Sequence, residues 1–112
     1  MNKPDVEVTA QTLKRLNQLA IEAVRSKNYK QALDYFMQSL VLEEKLGLKA
    51  QMAESFYNLA SVYFLQEEYD QALRKIQFAI TLFEQENKTE DAAKAKAMQM
   101  ELKRLLSTEN IE

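Results

Sequence analysis

The 112-residue chain contains no cysteine and no histidine. These absences exclude disulfides, thiolate nucleophiles and the usual Cys/His zinc sites, and they remove the most common general base. A single glycine and a single proline leave almost no material for tight hairpins or phosphate-binding loops. Because alanine, leucine, glutamate, glutamine and lysine are abundant, we expect an all-α chain. We expect no enzyme activity, no cofactor and no metal site.

The charge balance and the lack of long apolar runs argue against nucleic-acid and membrane partners. Basic residues number 15 and acidic residues 17, so the formal net charge is only −2 and no strong field would attract nucleic acid. The longest uncharged run, residues 55–66, is shorter than the ~20 residues that a membrane-spanning helix needs. Residues 1–7 mix both charges and do not resemble a secretory signal. The sequence therefore predicts one cytoplasmic domain.

A repeat with an offset of 40 positions organises the chain. Four of the five residues from Tyr29 to Leu33 recur from Tyr69 to Leu73, and the same offset aligns Leu19-Ala20 with Leu59-Ala60. Apolar residues recur every three or four positions in each unit, which is typical of a helix with one buried face. We therefore predict five helices. Their expected bounds are about Val8–Ser26, a second from Tyr29, Lys49–Gln66, a fourth from Tyr69, and a closing helix at about Thr89–Leu106.

Residues at the expected helix ends fit this division. Gly47 and Asn87 lie where the second and fourth helices should stop, and both residue types tolerate the left-handed conformation that ends a helix. Asn28 and Glu68 resemble start signals, with Asn28 the better cap. We expect a single domain, with repeat one at about residues 8–47, repeat two at about 48–87 and a capping helix at about 88–106.

The second unit resembles a tetratricopeptide repeat. It follows that family's order of bulky, small and aromatic residues at Phe56, Leu59, Ala60, Tyr63, Ala72 and Ile76. The first unit matches less fully, with Ala23 where tyrosine is usual. The resemblance implies a right-handed superhelical stack of α-hairpins that binds other proteins. Two features depart from the family: the period exceeds the usual ~34 residues, and Glu44 and Glu84 replace the proline that commonly ends the second helix. Without proline, these helices can run on to Gly47 and Asn87.

The resemblance also implies a concave groove lined by the first helix of each hairpin. On the third helix, Tyr57, Ser61 and Phe64 form a row facing that groove, and the core receives Phe56, Leu59 and Tyr63. An alternative is that Tyr57 and Phe64 are buried against neighbouring helices. The predicted peptide-binding residues are Lys14, Asn17, Ile21, Val24, Arg25, Tyr57, Asn58, Ser61, Phe64, Glu101 and Arg104.

Family members that hold acidic chaperone tails use a clamp of basic residues and asparagines, and this sequence departs from it. Asn58 and Lys94 match the clamp, whereas Asn17, Ile21 and Met98 stand at its other positions. We therefore do not expect an acidic tail as ligand.

Two functions remain open at the level of sequence. The first is an adaptor or scaffold that binds a peptide or helix of a partner protein, with Tyr57 and Phe64 as aromatic contacts. The alternative is a homodimer formed through the groove or the capping helix, because two repeats are few for a stable array. A second apolar row on the capping helix, Ala93, Ala97 and Met100, favours this alternative.

Three clusters of carboxylates are candidates for catalysis or cation binding. Glu43-Glu44, Glu67-Glu68-Asp70 and Glu90-Asp91 are the three clusters. Paired carboxylates can perform acid–base chemistry or bind cations. We expect instead that all three lie at helix ends or on solvated faces, where Glu90 and Asp91 would stabilise a helix N-terminus.

Overall fold

A computed structural model describes residues 6–109, with side chains described from 9 to 108. This part of the chain is folded into five helices and contains no strand, as the sequence predicts. The helices are α1 (Val6–Arg25), α2 (Tyr29–Leu46), α3 (Lys49–Leu65), α4 (Tyr69–Gln85) and α5 (Thr89–Glu109). The predicted bounds differ most at the ends of α1 and α5, because α1 begins earlier than Val8 and α5 continues past Leu106. The prediction that residues 1–7 do not form a secretory signal concerns a segment whose first five residues lie outside the described part.

Each helix packs closely on the next one in the chain. The packed pairs are α1–α2, α2–α3, α3–α4 and α4–α5, so the described residues form a row of antiparallel helices with overall extents of 58 × 33 × 22 Å. Helices α2 and α4 continue past Glu44 and Glu84, as expected where proline is absent. No helix among residues 6–109 is both long and apolar enough to cross a membrane.

The four connections between helices have the same backbone geometry. Each contains one residue in the left-handed region, with φ of 60° at Lys27, 68° at Gly47, 62° at Glu67 and 58° at Asn87. In the first connection the Lys27 N–H donates to Val24 O at 3.0 Å and the Asn28 N–H donates to Ala23 O at 2.7 Å. The other three connections make the equivalent two bonds, which define a Schellman motif. The predicted stops at Gly47 and Asn87 are confirmed.

The predicted helix starts at Asn28 and Glu68 are confirmed, but the side-chain caps expected there do not form. Both residues directly precede a helix, but neither side chain makes a capping hydrogen bond. Asn28 has φ −89° and ψ 66°, which is not the extended conformation that directs a cap side chain onto the first turn. Its carbonyl accepts the first hydrogen bond of α2 from the Ala32 N–H at 3.0 Å, so Asn28 occupies the N-cap position through its backbone alone. The Schellman motif that precedes α2 and α4 therefore sets where these two helices begin.

Two clusters of buried apolar residues form the core, and α3 contributes to both. One cluster joins α1, α2 and α3 through Ala20, Ala23, Ala32, Phe36, Leu59 and Val62. The other joins α3, α4 and α5 through Ala53, Ala60, Ala72, Ile76, Ala79, Ile80, Phe83, Ala92, Ala95 and Leu102. Alanines at the closest contacts allow the helix backbones to approach each other. Because α3 packs on both sides, it has more apolar surface than a helix with one buried stripe.

Two predictions about individual side chains are corrected by this packing. Phe56 and Tyr63, which we expected inside the core, are only half-buried against it. Glu43, which we expected on a solvated face, is only 2% exposed. The reason is helical phase, since Ala32, Phe36, Ser39 and Glu43 recur at intervals of three and four and form the buried face of α2.

Candidate peptide-binding groove

Helices α3 and α5 both pack on α4 and border two cavities together. The first, which we call the polar cavity, has a volume of about 290 Å³ and is lined by Glu54, Tyr57, Asn58, Phe83, Asp91 and Lys94. The second, which we call the apolar cavity, has a volume of about 390 Å³ and is lined by Ser61, Phe64, Leu65, Met98 and Glu101. In both α3 and α5, the residues that line the polar cavity come earlier in the helix than the residues that line the apolar cavity. The two helices are therefore parallel, and the cavities follow one another along a single groove.

The predicted row on α3 lies along this groove. Tyr57, Ser61 and Phe64 are all half-buried. Tyr57 and Phe64 pack against the core cluster of α3, α4 and α5, and each also lines one of the cavities. The Phe64 ring is fixed by an edge-to-face contact with Tyr69, whose ring centroid lies 5.7 Å away. Each aromatic side chain thus has one side against the core and another toward the groove.

Ser61 offers less to a ligand than its position suggests. Its hydroxyl donates to the Tyr57 carbonyl oxygen at 3.0 Å, one turn earlier in the same helix. The proton is therefore already used, and only the oxygen lone pairs of Ser61 are available to accept a bond.

Glu101 and Arg104, both predicted to contact a ligand, bind each other. Arg104 donates from Nε to Glu101 Oε2 at 2.9 Å and from a terminal nitrogen to Oε1 at 2.6 Å. These hydrogen bonds lower the pKa of Glu101 and raise that of Arg104. Glu101 lines the apolar cavity, whereas Arg104 does not. The bidentate pair neutralises the carboxylate beside that cavity.

The predicted residues of α1 do not join the two cavities. Lys14, Ile21 and Arg25 are exposed, and Asn17 and Val24 are half-buried. Val24 packs on the core cluster of α1, α2 and α3. None of these five side chains lines the polar or the apolar cavity. Their contact with a ligand stays a prediction.

Sequence reasoning missed several residues of the groove. Glu54, Phe83, Asp91, Lys94, Leu65 and Met98 line the cavities but were not among the predicted peptide-binding residues. Asp91 lies in the first turn of α5, as expected, yet it is half-buried. The spacing of Asp91, Lys94, Met98 and Glu101 is a signal that could have found them, because intervals of three and four place these residues on one face of α5.

Other surfaces of the described residues also expose apolar groups. Met100 is 72% exposed, and Ala93 and Ala97 of the same predicted row are exposed too. Phe78 on α4 is exposed and stacks on Phe56 with ring centroids 5.1 Å apart. Among residues 6–109, no three His, Cys, Asp or Glu side chains come together as metal ligands would.

Comparison with known proteins identifies one repeat directly. The sequence model of the family described as "Tetratricopeptide repeat" matches residues 53–86, which run from within α3 to just past the end of α4. The chain is also similar to Protein HGV2 of Halocynthia roretzi, with 31% identity over 85 residues. The alignment covers 74% of this chain and 16% of that relative, so the chain spans only a small part of its length. Residues 53–86 match a tetratricopeptide repeat, and the five helices of residues 6–109 form an all-α fold that is consistent with a tetratricopeptide-like repeat.

Proposed function

We propose that the groove between α3 and α5 binds a peptide or helix of a partner protein. Tetratricopeptide repeats are non-catalytic modules that generally mediate protein–protein interaction. The observation that carries the proposal is the pair of consecutive cavities, each bordered by a half-buried aromatic side chain, Tyr57 or Phe64. In this proposal the chain acts as a cytoplasmic adaptor or scaffold, and repeat one, repeat two and the capping helix fold as one domain.

The dimensions of the groove suit a short segment. Tyr57 and Phe64 are seven residues apart on one helix, which corresponds to ~10 Å along its axis. About three residues of an extended peptide or about two turns of a helix span this distance. Rings that are already held by core contacts lose little conformational freedom on binding, which favours affinity.

Selection of peptides on the immobilised protein tests this proposal. A library of random peptides of about 12 residues, long enough to cover both cavities, would be enriched on the wild-type chain. Leu65→Glu should abolish the enrichment, because Leu65 is 50% exposed and lines the apolar cavity. Val41→Glu is the matched control, since Val41 is 52% exposed on α2, outside the groove.

The double variant Tyr57→Ala/Phe64→Ala should also lose the selected peptides. Its helical content by circular dichroism must match the wild type, because both rings also touch the core. The selected peptides are then measured on Leu65→Glu and on the folded double variant. If they bind both variants as tightly as the wild type, the groove is not the site.

Self-association is the second candidate. It is favoured by the exposed row of Ala93, Ala97 and Met100 on α5. Light scattering over a concentration series should then show a mass above the 13.0 kDa of one chain, and Met100→Lys should return it to the monomer value. A monomer at every concentration would contradict this candidate. A dimer unaffected by Met100→Lys would exclude pairing through the exposed row of Ala93, Ala97 and Met100 and leave a pairing through the groove.

A further inference from the structure

We propose that the segment bound in this groove places a basic side chain in the polar cavity and an apolar side chain in the apolar cavity. The inference rests on the proposed function and adds the chemistry of the partner: a peptide segment with lysine or arginine near leucine, methionine or phenylalanine.

The polar cavity presents two carboxylates without partners. Glu54 on α3 and Asp91 on α5 border it from opposite helices, and neither makes a hydrogen bond or an ion pair within the described part of the chain. Three other charged side chains of α5 are paired, since Lys96 contacts Glu84 at 3.0 Å and Arg104 contacts Glu101. Because Asp91 is half-buried, water compensates its charge less fully than at an open surface. Glu54 is exposed to water and Asp91 also lies at the N-terminus of α5, so a cationic guest would add a direct ionic partner for both carboxylates.

Neutral groups of the same cavity also suit a basic side chain. The half-buried ring of Tyr57 can accept an ammonium or guanidinium group over its face. The Asn58 side chain can both donate to and accept from a peptide backbone.

Lys94 is the opposing charge in the cavity lining. It is exposed, and its long flexible stem can turn the ammonium group toward solvent, whereas the half-buried carboxylate of Asp91 has less freedom to withdraw. With Lys94 counted, the lining has two negative charges and one positive charge. An acidic guest would meet two like charges, while a basic guest meets one.

The apolar cavity suits an apolar side chain of the bound segment. Phe64, Leu65 and Met98 supply its walls, and its accessible lining is apolar. Glu101 borders it but is already neutralised by two hydrogen bonds from Arg104. Methionine adapts its shape to irregular apolar guests. The rise of ~10 Å along α3 between Tyr57 and Phe64, which border the two cavities, corresponds to residues three apart in an extended segment or seven apart in a helix.

Peptide selection followed by charge exchange tests this inference. Sequences selected on the wild-type chain should be enriched in a basic residue and an apolar residue at one of these two spacings. In fluorescence anisotropy, changing the basic residue of a selected peptide to glutamate should weaken binding at least about tenfold, since an attraction to two carboxylates becomes a repulsion. On the variant Glu54→Gln/Asp91→Asn, the same change in the peptide should weaken binding by less than about threefold. Glu44→Gln/Glu90→Gln is the matched control, because it removes the same charge outside both cavities and should leave the tenfold loss unchanged.

Three outcomes are distinguishable. Basic and apolar enrichment, together with loss of the charge preference on Glu54→Gln/Asp91→Asn, supports the inference. Selected peptides that are acidic, or that bind equally after charge exchange, would overturn it while leaving the proposed function in place, provided that Leu65→Glu blocks them. No enrichment on the wild-type chain above that on Leu65→Glu would overturn both.

Discussion

Ser55 Oγ donates a hydrogen bond of 2.7 Å to Glu43 Oε1 across the interface between α3 and α2. Both residues are only 2% exposed. Burial raises the pKa of Glu43 from 4.5 to about 7; the bond from Ser55 opposes this rise and the nearby charge of Glu54 adds to it. A carboxyl group that changes its ionisation near neutral pH thus lies inside the helical stack, outside the linings of the polar and apolar cavities.

Glu43 should make the stability of the protein depend on pH. Its folded pKa lies above the unfolded value, so the folded state retains a proton that the unfolded chain releases between about pH 4.5 and 7. This contribution to stability is complete below pH 4.5 and is lost as pH rises through 7, with a total of about 1–3 kcal/mol. Glu43→Gln keeps an acceptor for Ser55 and should remove this dependence. Urea unfolding at a series of pH values measures the difference.

The matched control for Glu43 is its neighbour. Glu44 is exposed, so Glu44→Gln should leave the pH dependence as in the wild type. Parallel stability curves for Glu43→Gln and the wild type across this pH range would show that the pKa of Glu43 is not raised by folding.

The two buried serines should respond in opposite ways to alanine. Ser55→Ala leaves the Glu43 carboxyl without its donor and should lower the free energy of unfolding by about 1–3 kcal/mol. Ser39 is fully buried, and its Oγ has no hydrogen-bond partner in the described structure. Ser39→Ala removes an unsatisfied hydroxyl and should be neutral or stabilising by up to about 1 kcal/mol. Chemical denaturation of both variants provides the comparison, and equal destabilisation would contradict the difference in bonding.

Glycine should stabilise two of the four connections. Lys27 and Glu67 adopt positive φ, which costs a residue with a Cβ about 1 kcal/mol. Lys27→Gly and Glu67→Gly relieve that strain while keeping the backbone bonds of the Schellman motif, so each should raise the free energy of unfolding by about 0.5–1 kcal/mol. Thermal and urea unfolding measure the gain, and a loss in both variants would show that side-chain contacts at these turns outweigh the strain.

Gly47 should behave in the opposite sense. An added Cβ would meet no atom within 4 Å, but φ of 68° strains any residue with a side chain. We expect Gly47→Ala to destabilise the protein by about 1 kcal/mol and Gly47→Asn by less, because asparagine tolerates this conformation, as Asn87 does. Unfolding free energies that rank alanine above asparagine would contradict backbone strain as the cause.

The helices and their order follow from local sequence pattern. Periodic apolar residues specify helix faces locally, so Leu13, Leu16, Ala20 and Ala23 are buried on α1 as their spacing predicts. The stops at Gly47 and Asn87 were also readable, since tolerance of positive φ belongs to the residue type. Lys27 and Glu67 carry no such signal, and their left-handed turns follow from the demand that successive helices pack as antiparallel pairs.

The surroundings of each side chain depend on how the helices pack together. Glu43 and Glu44 are adjacent in sequence, yet one lies against α3 and the other in solvent, because a helix rotates by about 100° per residue. The cavities combine Glu54 and Tyr57 with Asp91 and Lys94, whose approach depends on how α3 and α5 pack on α4. Local pattern fixes which face of a helix is apolar; contact between distant segments fixes which groups share a site.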